Sequence, residues 1–280
     1  MKKIQTILVP IVALMVITSC QKMERPALGT YPKDAGTPGG PLKFYVAFDG
    51  TTGDASRNGV DSMRANFPSD NPFTITDGIS GKAAKGDGTK FIKYSGANDF
   101  PAKASSFSIS FWEKRNGIPN GNASFVFTIP SANKQWGDYG FSMFLLFDWG
   151  SWTPATSATV KFYMVDDNCK CDTWLTWEGA DRVPNLQDNN WHHMVFVYDA
   201  ATSKLTLYVD GVANGHVNQW GNHGPLKIDA SMVQGFDLGG NENTGKMGWG
   251  IGWDGGIDQF RMYTSALTAA QVQELFTKKM

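Results

Sequence analysis

The sequence lacks a strong excess of either charge, and this already restricts its function. Its 280 residues include 25 Lys and Arg against 26 Asp and Glu, and charged residues make up 18% of the chain. Because affinity for phosphates depends on a clustered excess of basic residues, the composition excludes a dedicated nucleic-acid binder. A hydrophobic content of 41% also excludes a disordered chain, since such chains bury too little apolar surface to offset their ordering entropy.

Side chains that commonly carry catalysis are scarce as well. The chain has only four His, and no His-Glu-x-x-His, Gly-x-Ser-x-Gly or Walker sequence occurs. His192 and His193 are adjacent, so on a strand they point to opposite faces and cannot chelate one ion together.

Cysteine is also rare, with three residues in the chain. Cys169 and Cys171 are separated by one residue, and extended backbone would place their Cα atoms near the upper limit for a disulfide, about 6.8 Å. A disulfide and two free thiols therefore both stay open. Zinc is not expected there, because a structural site needs four ligands and no second Cys or His pair stands nearby in the sequence.

The first twenty residues are predicted to be an export signal. Lys2 and Lys3 precede an apolar run over residues 4–17, which is shorter than the roughly 20 residues that span a bilayer. The sequence Ile-Thr-Ser-Cys that ends at Cys20 resembles a bacterial lipobox, in which the cysteine is acylated. We expect a signal peptide at 1–19, a lipid anchor on Cys20 and a place in the cell envelope, at the outer membrane. The alternatives are an ordinary signal peptide or a core helix.

The rest of the chain divides into a spacer and one long domain. Residues 20–42 contain four prolines and little apolar periodicity, which is typical of a flexible spacer after the anchor. From residue 43 to 280, short aromatic and β-branched runs alternate with turns. In Ser106–Trp112 the alternation is strict and predicts a half-buried strand, whereas Trp191–Tyr198 is apolar on both faces and predicts a central one. Only the C-terminus, which begins with a capping box at Thr268, is predicted to be helical.

Several segments in this domain resemble the laminin-G-like branch of the concanavalin A-like lectin/glucanase superfamily. They span about residues 44–277 in the expected order and are Phe48-Asp-Gly50, Phe107-Ser-Ile-Ser-Phe-Trp112, Asn190-Trp-His-His193, Leu207-Tyr-Val-Asp-Gly211 and Gly256-Ile-Asp-Gln-Phe260. The resemblance implies an all-β jelly-roll sandwich of two curved antiparallel sheets with a short C-terminal helix. It also implies that His192 and His193 pack and form hydrogen bonds within the fold. It does not fix a function, because this fold carries lectins, glycosidases, lyases and adhesive domains.

The resemblance also implies where an ion and a catalytic site would lie. Family members often hold a structural Ca²⁺ between the first strand and a late strand, and Asp49 and Asp258 match those positions. An Asp before Gly is also an ordinary turn residue. Glucanases of the superfamily place their carboxylates as Glu-x-Asp-x-x-Glu on one strand, but no two acidic residues here are separated by a single residue. We therefore expect no catalytic residues.

Tryptophan provides the remaining clue to function. Most of the 10 Trp stand among Gly, Asn and Asp, where a ring can stack on the C–H face of a sugar while polar neighbours bind its hydroxyls. The candidates for such a platform are Trp149, Trp152, Trp174, Trp177 and Trp220. In a strand, Trp174 and Trp177 would point to opposite faces, so one of them could face solvent. The alternative is that these rings pack within the sandwich and bind no ligand.

The leading hypothesis is a non-catalytic, lipid-anchored protein of the cell envelope that binds polysaccharide or oligosaccharide. It touches the membrane only through its anchor. One alternative is a glycoside hydrolase or lyase with an atypical site, assembled from different strands. Another is a structural or protein-adhesion module, in which the tryptophans only pack.

Overall fold

The computed structural model describes residues 40–49, 55–65, 73–117, 122–133, 139–148 and 155–279. These residues belong to one compact unit that extends over Asp34–Met280. Cys20, Trp149 and Trp152 lie outside the described residues, as do the signal peptide and most of the spacer. No helix in the described part has the length and apolar character needed to cross a membrane.

Strands dominate the described residues. In chain order they are β1 (Leu42–Val46), β2 (Thr74–Asp77), β3 (Lys82–Lys85), β4 (Ile92–Tyr94), β5 (Phe107–Lys114), β6 (Ala123–Pro130), β7 (Phe141–Asp148), β8 (Thr159–Asp166), β9 (Cys171–Trp177), β10 (His192–Asp199), β11 (Lys204–Val209), β12 (Val212–Ala213), β13 (Asn218–Gln219), β14 (Phe236–Leu238), β15 (Gly250–Ile251) and β16 (Gly256–Tyr263). Helix α1 covers Phe100–Lys103 and helix α2 covers Ala269–Lys278, while Gly179–Asp181 and Thr244–Met247 form 3-10 turns.

The strands form two sheets that pack face to face. In sheet A the order is β12, β11, β10, β5, β16, β3 and β2, with β1 also on β16 and β13 also on β11. In sheet B the order is β4, β14, β6, β7, β8 and β9. Pairing is antiparallel apart from the short contact of β15 with β6, which is parallel. The prediction of an all-β sandwich of two antiparallel sheets with a short C-terminal helix is confirmed.

The core between the sheets is rich in aromatic rings because both sheets point Phe side chains inward. Phe107, for example, stacks on Phe162 of sheet B at 5.7 Å and on Tyr198 of its own sheet at 5.4 Å. Such ring pairs add about 0.5–1.5 kcal/mol to what their buried area contributes. Strand β10 lies between β11 and β5 and is buried on both faces, as the sequence predicts.

Strand β5 departs from the prediction of a half-buried strand. Its inner face carries Phe107 and Ile109 as expected, but Ser108 and Ser110 on the other face are also fully buried. The C-terminal segment covers them: the Ser108 hydroxyl donates to the Ser265 carbonyl at 2.8 Å and accepts from the Leu267 amide at 2.9 Å. The small serines therefore provide polar contacts beneath a second layer.

Helix α2 forms that second layer over sheet A. The predicted capping box is confirmed, because the Thr268 hydroxyl accepts from the Gln271 amide and the Gln271 side chain accepts from the Thr268 amide. Val272 on this helix is fully buried against Val195 and Val197 of β10. No α-helix covers the outer side of the opposite sheet in the described residues, although Met247 of a 3-10 turn packs there, and Trp174 at the edge of that sheet is exposed.

Candidate functional site

Sheet B carries a second apolar cluster on its outer face, the face directed away from sheet A. Side chains on β6, β7 and β8 alternate, so that one set fills the core while the other set lies on this outer face. The outer cluster contains Ala123, Phe125, Phe141, Phe144, Leu146, Tyr163, Val165 and Met247, with Tyr139 and Trp249 packed against it. The cluster itself is buried, so the candidate binding surface is limited to the rings at its margin that reach solvent, above all Trp174.

Five rings of this face form a continuous aromatic row across the sheet. Ring centroids are 5.8 Å apart from Trp249 to Phe125, 5.3 Å from Phe125 to Phe144, 4.7 Å from Phe144 to Tyr163 and 5.1 Å from Tyr163 to Trp174. Strand register produces the order, because Phe144 stands opposite Tyr163 and Tyr163 opposite Trp174. The inner rings of the row are buried, and its two ends reach solvent.

Trp174 is the most exposed ring of the aromatic row. It has 37% of its surface exposed because β9 is the edge strand of sheet B. Phe144 and Tyr163 support its inner side at 5.2 and 5.1 Å between ring centroids. The indole is therefore packed against two buried rings while more than a third of the residue is exposed, and packing of this kind restricts the ring orientations that a bound ligand would have to fix.

A recess of about 270 Å³ lies between the two ends of the aromatic row. Leu146, Asp148, Lys161, Trp174 and Trp249 line it. The Lys161 ammonium contacts Asp148 Oδ2 at 2.7 Å and Glu178 Oε2 at 3.2 Å. Burial alone would lower the pKa of Lys161, but the hydrogen bonds and charges of Asp148 and Glu178 outweigh it and raise that pKa. The recess therefore combines an indole surface with the Lys161 ammonium and the Asp148 carboxylate, while Glu178, which is not among the lining residues, contacts the same ammonium.

The other described tryptophans of the predicted platform are placed differently. Trp177 is fully buried in the core, where its Nε1 donates to the His216 carbonyl at 2.9 Å. The predicted alternation of Trp174 and Trp177 is confirmed, and it removes Trp177 from any surface platform. Trp220 is half-buried, packs on the core and stacks in parallel on His223 at 3.6 Å, so one ring face is covered. Trp149 and Trp152 lie outside the described residues and stay predictions.

Trp249 also lines the recess, although it is not among the tryptophans predicted from the sequence to form the platform. It follows Gly248, whose φ of 74° turns the chain at the end of the 3-10 turn and leads into β15. The available signal was the Gly-rich context Gly248-Trp249-Gly250. The same context surrounds Trp253, which is fully buried, so composition alone could not separate the two rings.

The two aspartates expected to hold calcium are brought together beside the turn between β2 and β3. Asp49 Oδ1 accepts from the Lys82 amide at 2.8 Å, and Asp258 Oδ2 accepts from the Ile79 amide at 2.9 Å. Burial, together with the negative charge of Asp49, raises the pKa of Asp258 to about 7. Asp258 Oδ1 is buried and has no hydrogen-bond partner among the described residues.

Glycine makes room for these carboxylates. A Cβ at Gly78 would collide with the Asp258 carboxylate, and a Cβ at Gly81, where φ is 69°, would collide with that of Asp49. Two adjacent carboxylates, one with a buried oxygen that lacks a partner, form a donor set that suits a hard cation such as Ca²⁺.

A further polar cluster is buried at the end of β5. Glu113 is fully buried, and burial raises its pKa to about 8. Arg115 lies over the Trp253 ring at 4.9 Å and pairs with Asp254 at 2.6 Å. The nearby His192 contacts Asp210 at 2.8 Å, and this hydrogen bond raises the pKa of His192 to about 9. Glu113 and Arg115 are buried in the fold, whereas Asp254 and Asp210 at the margin of the cluster reach solvent.

His193 lies on the other face of β10 and is fully buried. Its Nε2 contacts the Ser110 hydroxyl at 2.9 Å, and its ring packs on Trp112 at 4.9 Å. Burial lowers the pKa of His193 to about 3, so the ring is neutral. The prediction that the two adjacent histidines pack and form hydrogen bonds on opposite faces is confirmed.

These features agree with the family to which the chain is related. Residues 86–273 match the family model described as the Concanavalin A-like lectin/glucanases superfamily. The chain belongs to this superfamily. No match to the chain is found among curated proteins.

Solved structures with the same fold include carbohydrate complexes. Domain 4 of AbnA, an extracellular arabinanase from Geobacillus stearothermophilus solved with arabinotriose, is 19% identical with a TM-score of 0.55, over 84% of this chain and 97% of that one. The botulinum neurotoxin serotype D ligand binding domain, solved with N-acetylneuraminic acid, is 10% identical with a TM-score of 0.56. The match covers 85% of this chain and 51% of that one. A sialidase from Trypanosoma rangeli is 12% identical with a TM-score of 0.55, and the match covers 86% of this chain and 33% of that one. At these identities the similarity concerns the fold.

Proposed function

We propose that this protein is a non-catalytic glycan-binding domain that captures polysaccharide or oligosaccharide at the cell envelope. The observation that carries the proposal is the Trp174 indole, exposed at the edge of sheet B and supported from behind by Phe144 and Tyr163. Sugars present flat C–H faces that stack on such rings. The arabinanase domain solved with arabinotriose and the toxin domain solved with N-acetylneuraminic acid support this use of the fold.

The polar groups of the recess complement the ring. Asp148 in the recess accepts hydrogen bonds and Lys161 donates them, and Glu178 beside the recess adds a second acceptor on the same ammonium, so together they match sugar hydroxyls, which do both. Two carboxylates against one ammonium leave this group of side chains with a net negative charge. We therefore infer that the recess prefers neutral sugar residues to acidic ones.

The same geometry argues against glycoside hydrolysis at this position. Asp148 ends β7 and Glu178 directly follows β9, so the two carboxylates come from different strand ends and meet at Lys161, and a hydrolase would need two carboxylates on either side of the scissile bond. The Lys161 ammonium contacts both carboxylates, at 2.7 and 3.2 Å, and therefore occupies the space between them that a scissile glycosidic oxygen would need. A binding role leaves this ion-pair network intact.

The test is a glycan array followed by titration calorimetry and product analysis on every positive glycan. By analogy with aromatic–base stacking, which contributes about 1–3 kcal/mol per ring, Trp174→Ala should weaken binding about tenfold or more. Ile75→Ala is the matched control, because Ile75 is 47% exposed on β2 of the other sheet. It should leave the affinity unchanged.

Each outcome decides between functions. Binding without sugar release, lost in Trp174→Ala and kept in Ile75→Ala, supports the proposal. Sugar release that is lost in Glu178→Gln would establish a hydrolase instead. An array without a positive glycan would favour the structural or protein-adhesion module.

We also propose that Cys20 carries a lipid that holds the domain at the outer membrane. The support is the sequence alone, namely the apolar run, the small residues before Cys20 and the Pro-rich spacer after it. Acyl chains contribute about 0.8 kcal/mol per buried CH₂, so two or more chains together give stable anchoring.

A structural Ca²⁺ held by Asp49 and Asp258 is the third proposal. A cation bound there would place positive charge beside the buried Asp258 Oδ1 and would fix the turn between β2 and β3. Ligand at a hundredfold excess over its Kd stabilises the native state by about 2.7 kcal/mol. A calcium chelator should therefore lower the melting temperature of the wild type.

The control variants locate the effect. Asp258→Asn should melt at the same temperature with and without chelator, because it lacks a charged ligand. Asp237→Asn should still respond, since Asp237 is also a buried carboxyl group but lies on β14 of the other sheet. If neither chelator nor added Ca²⁺ changes the melting temperature of the wild type, the proposed Ca²⁺ site is wrong.

A further inference from the structure

The turn between β8 and β9 places two cysteines beside a histidine from a distant part of the chain. The sulfur atoms of Cys169 and Cys171 and a ring nitrogen of His223 all lie within 4.8 Å of one another. Zinc is not expected here from the sequence, because no second His or Cys pair stands nearby in it. The fold supplies His223 from the segment after β13, so the ligand set is larger than the sequence indicates.

His223 is held in place by two further contacts. Its Nε2 contacts Asp166 Oδ2 at 3.1 Å, and its ring stacks on Trp220 at 3.6 Å with 4° between the planes. The Asp166 side chain is buried, and its carboxylate also accepts from the amides of Cys169 at 3.1 Å and Lys227 at 2.9 Å. One carboxylate thus fixes both the cysteine turn and the imidazole, which is typical of the groups that surround metal-binding histidines.

The two cysteines form a disulfide in the structure, with Cα atoms 5.2 Å apart. This bond closes a loop of only three residues inside a hairpin in which Asp166 already pairs with Cys171. Because a disulfide removes more chain entropy when it closes a longer loop, this one restricts the unfolded chain little. The fold gains little from the bond, and the chemistry of the two sulfurs is the better reason for their position.

We propose that Cys169, Cys171 and His223 form a redox-controlled site for a thiophilic divalent cation such as Zn²⁺. The disulfide form cannot bind the ion, because its sulfurs are joined to each other. A dithiol reductant transfers two electrons and two protons, which breaks the S–S bond, forms two thiols and converts the reductant into a disulfide.

Metal binding follows the reduction of the disulfide. Each thiol releases its proton to solvent, two sulfur–metal bonds and one nitrogen–metal bond form, and water fills the fourth tetrahedral position. Asp166 acts as a positioning residue that holds the imidazole. This inference does not depend on the proposed glycan binding, because it uses residues outside the recess.

The experiment compares the oxidised and reduced full-length protein. A water-soluble phosphine reduces the disulfide and is removed without air, and Co²⁺ is then titrated as a spectroscopic substitute for Zn²⁺. We expect one Co²⁺ per reduced chain, with a sulfur-to-cobalt charge-transfer band that Zn²⁺ abolishes, and no band in the oxidised protein. The melting temperature of the reduced, metal-free protein shows whether the fold persists.

Variants assign the ligands. The double variant Cys169→Ser with Cys171→Ser should lose the band, although it retains Cys20. Changes at residues that contact metal ligands typically lower metal affinity about 10–100-fold, and we expect Asp166→Asn to weaken Co²⁺ binding by this factor. His223→Gln should weaken Co²⁺ binding at least as much, because it removes a ligand. His216→Gln is the matched control, because His216 also pairs with an aspartate, Asp181, and is not part of the cysteine cluster.

The inference fails if reduced protein takes up no Co²⁺ or gives no sulfur band. It also fails if the oxidised protein or the double cysteine variant binds equally well, or if His223→Gln binds like the wild type. Unfolding of the protein on reduction would contradict it too, because a disulfide that closes so short a loop should contribute little to the stability of the fold.

Discussion

Trp174 and Trp177 provide a paired test of the structure, because they lie three residues apart on one strand and occupy opposite sides of it. Trp177 is fully buried, meets Phe196 edge-on at 5.6 Å and donates a hydrogen bond to the His216 carbonyl. A buried Trp removes about 150–250 Å² from water, which at about 25 cal/mol per Å² corresponds to about 4–6 kcal/mol. Core Trp→Ala changes cost about 3–5 kcal/mol. We expect Trp177→Ala to destabilise the protein by about 4 kcal/mol.

Trp174→Ala should cost much less. With 37% of its surface already exposed, the side chain loses less burial, and its ring contacts with Phe144 and Tyr163 add only about 0.5–1.5 kcal/mol each. We expect a loss of about 1–2 kcal/mol, within the ordinary range for point mutations. The order of the two variants is reversed for glycan binding: Trp174→Ala, the variant with the smaller loss of stability, is the one that should lose glycan affinity selectively.

Urea unfolding followed by circular dichroism measures both free energies. For a domain of this size each kcal/mol shifts the melting temperature by about 2–4 °C, so Trp177→Ala should melt roughly 10 °C lower than the wild type. Equal losses in the two variants, or a larger loss in Trp174→Ala, would refute the assignment of one ring to the core and the other to the surface.

Three other outcomes follow from the structure and the sequence. The hydrogen bond to Asp210 raises the pKa of His192 from 6.5 to about 9, so its stabilising contribution is complete below pH 6.5 and is lost as the pH rises through 9. His192→Gln should therefore flatten the decline of unfolding free energy with pH across that range in urea titrations, and an unchanged slope would contradict this reasoning. Cys20→Ala should release the protein from membranes in fractionation or block its processing, and normal maturation with continued membrane association would disprove the anchor. Limited proteolysis should trim only residues before about 43, whereas a stable fragment cut near the middle of the chain would indicate two domains.

Much of the fold could be predicted from local patterns. The capping box at Thr268, the central position of β10 and the opposite directions of Trp174 and Trp177 depend on periodicity and short-range hydrogen bonding, which a sequence displays directly. The serine face of β5 could not be predicted, because a strand that packs under a helix and a strand that faces water can both carry serine there. The difference is made by α2, which follows much later in the chain.

The candidate site shows the same limit in its aromatic row. Strands β6 to β9 follow one another in the chain and pair in that order, so the sequence already indicates that their rings are neighbours. The register that places Phe144 opposite Tyr163 and Tyr163 opposite Trp174 is not indicated, and a slip by one residue would turn a whole strand's rings to the other face. Trp249 follows β14 in the chain, and no local sequence pattern indicates its contact with Phe125.

The cysteine turn depends on the fold even more strongly. Asp166 and the two cysteines are local to one hairpin, but His223 reaches them only because the chain after β13 returns across the end of β8, where Lys227 also binds Asp166. A count of nearby Cys and His residues therefore underestimates the ligand set. The aromatic row and the cysteine turn meet on β9, whose first residue is Cys171 and whose exposed ring is Trp174. Because that strand has a neighbour on one side only along most of its length, it is where sheet B can present both sulfur and an aromatic face to solvent.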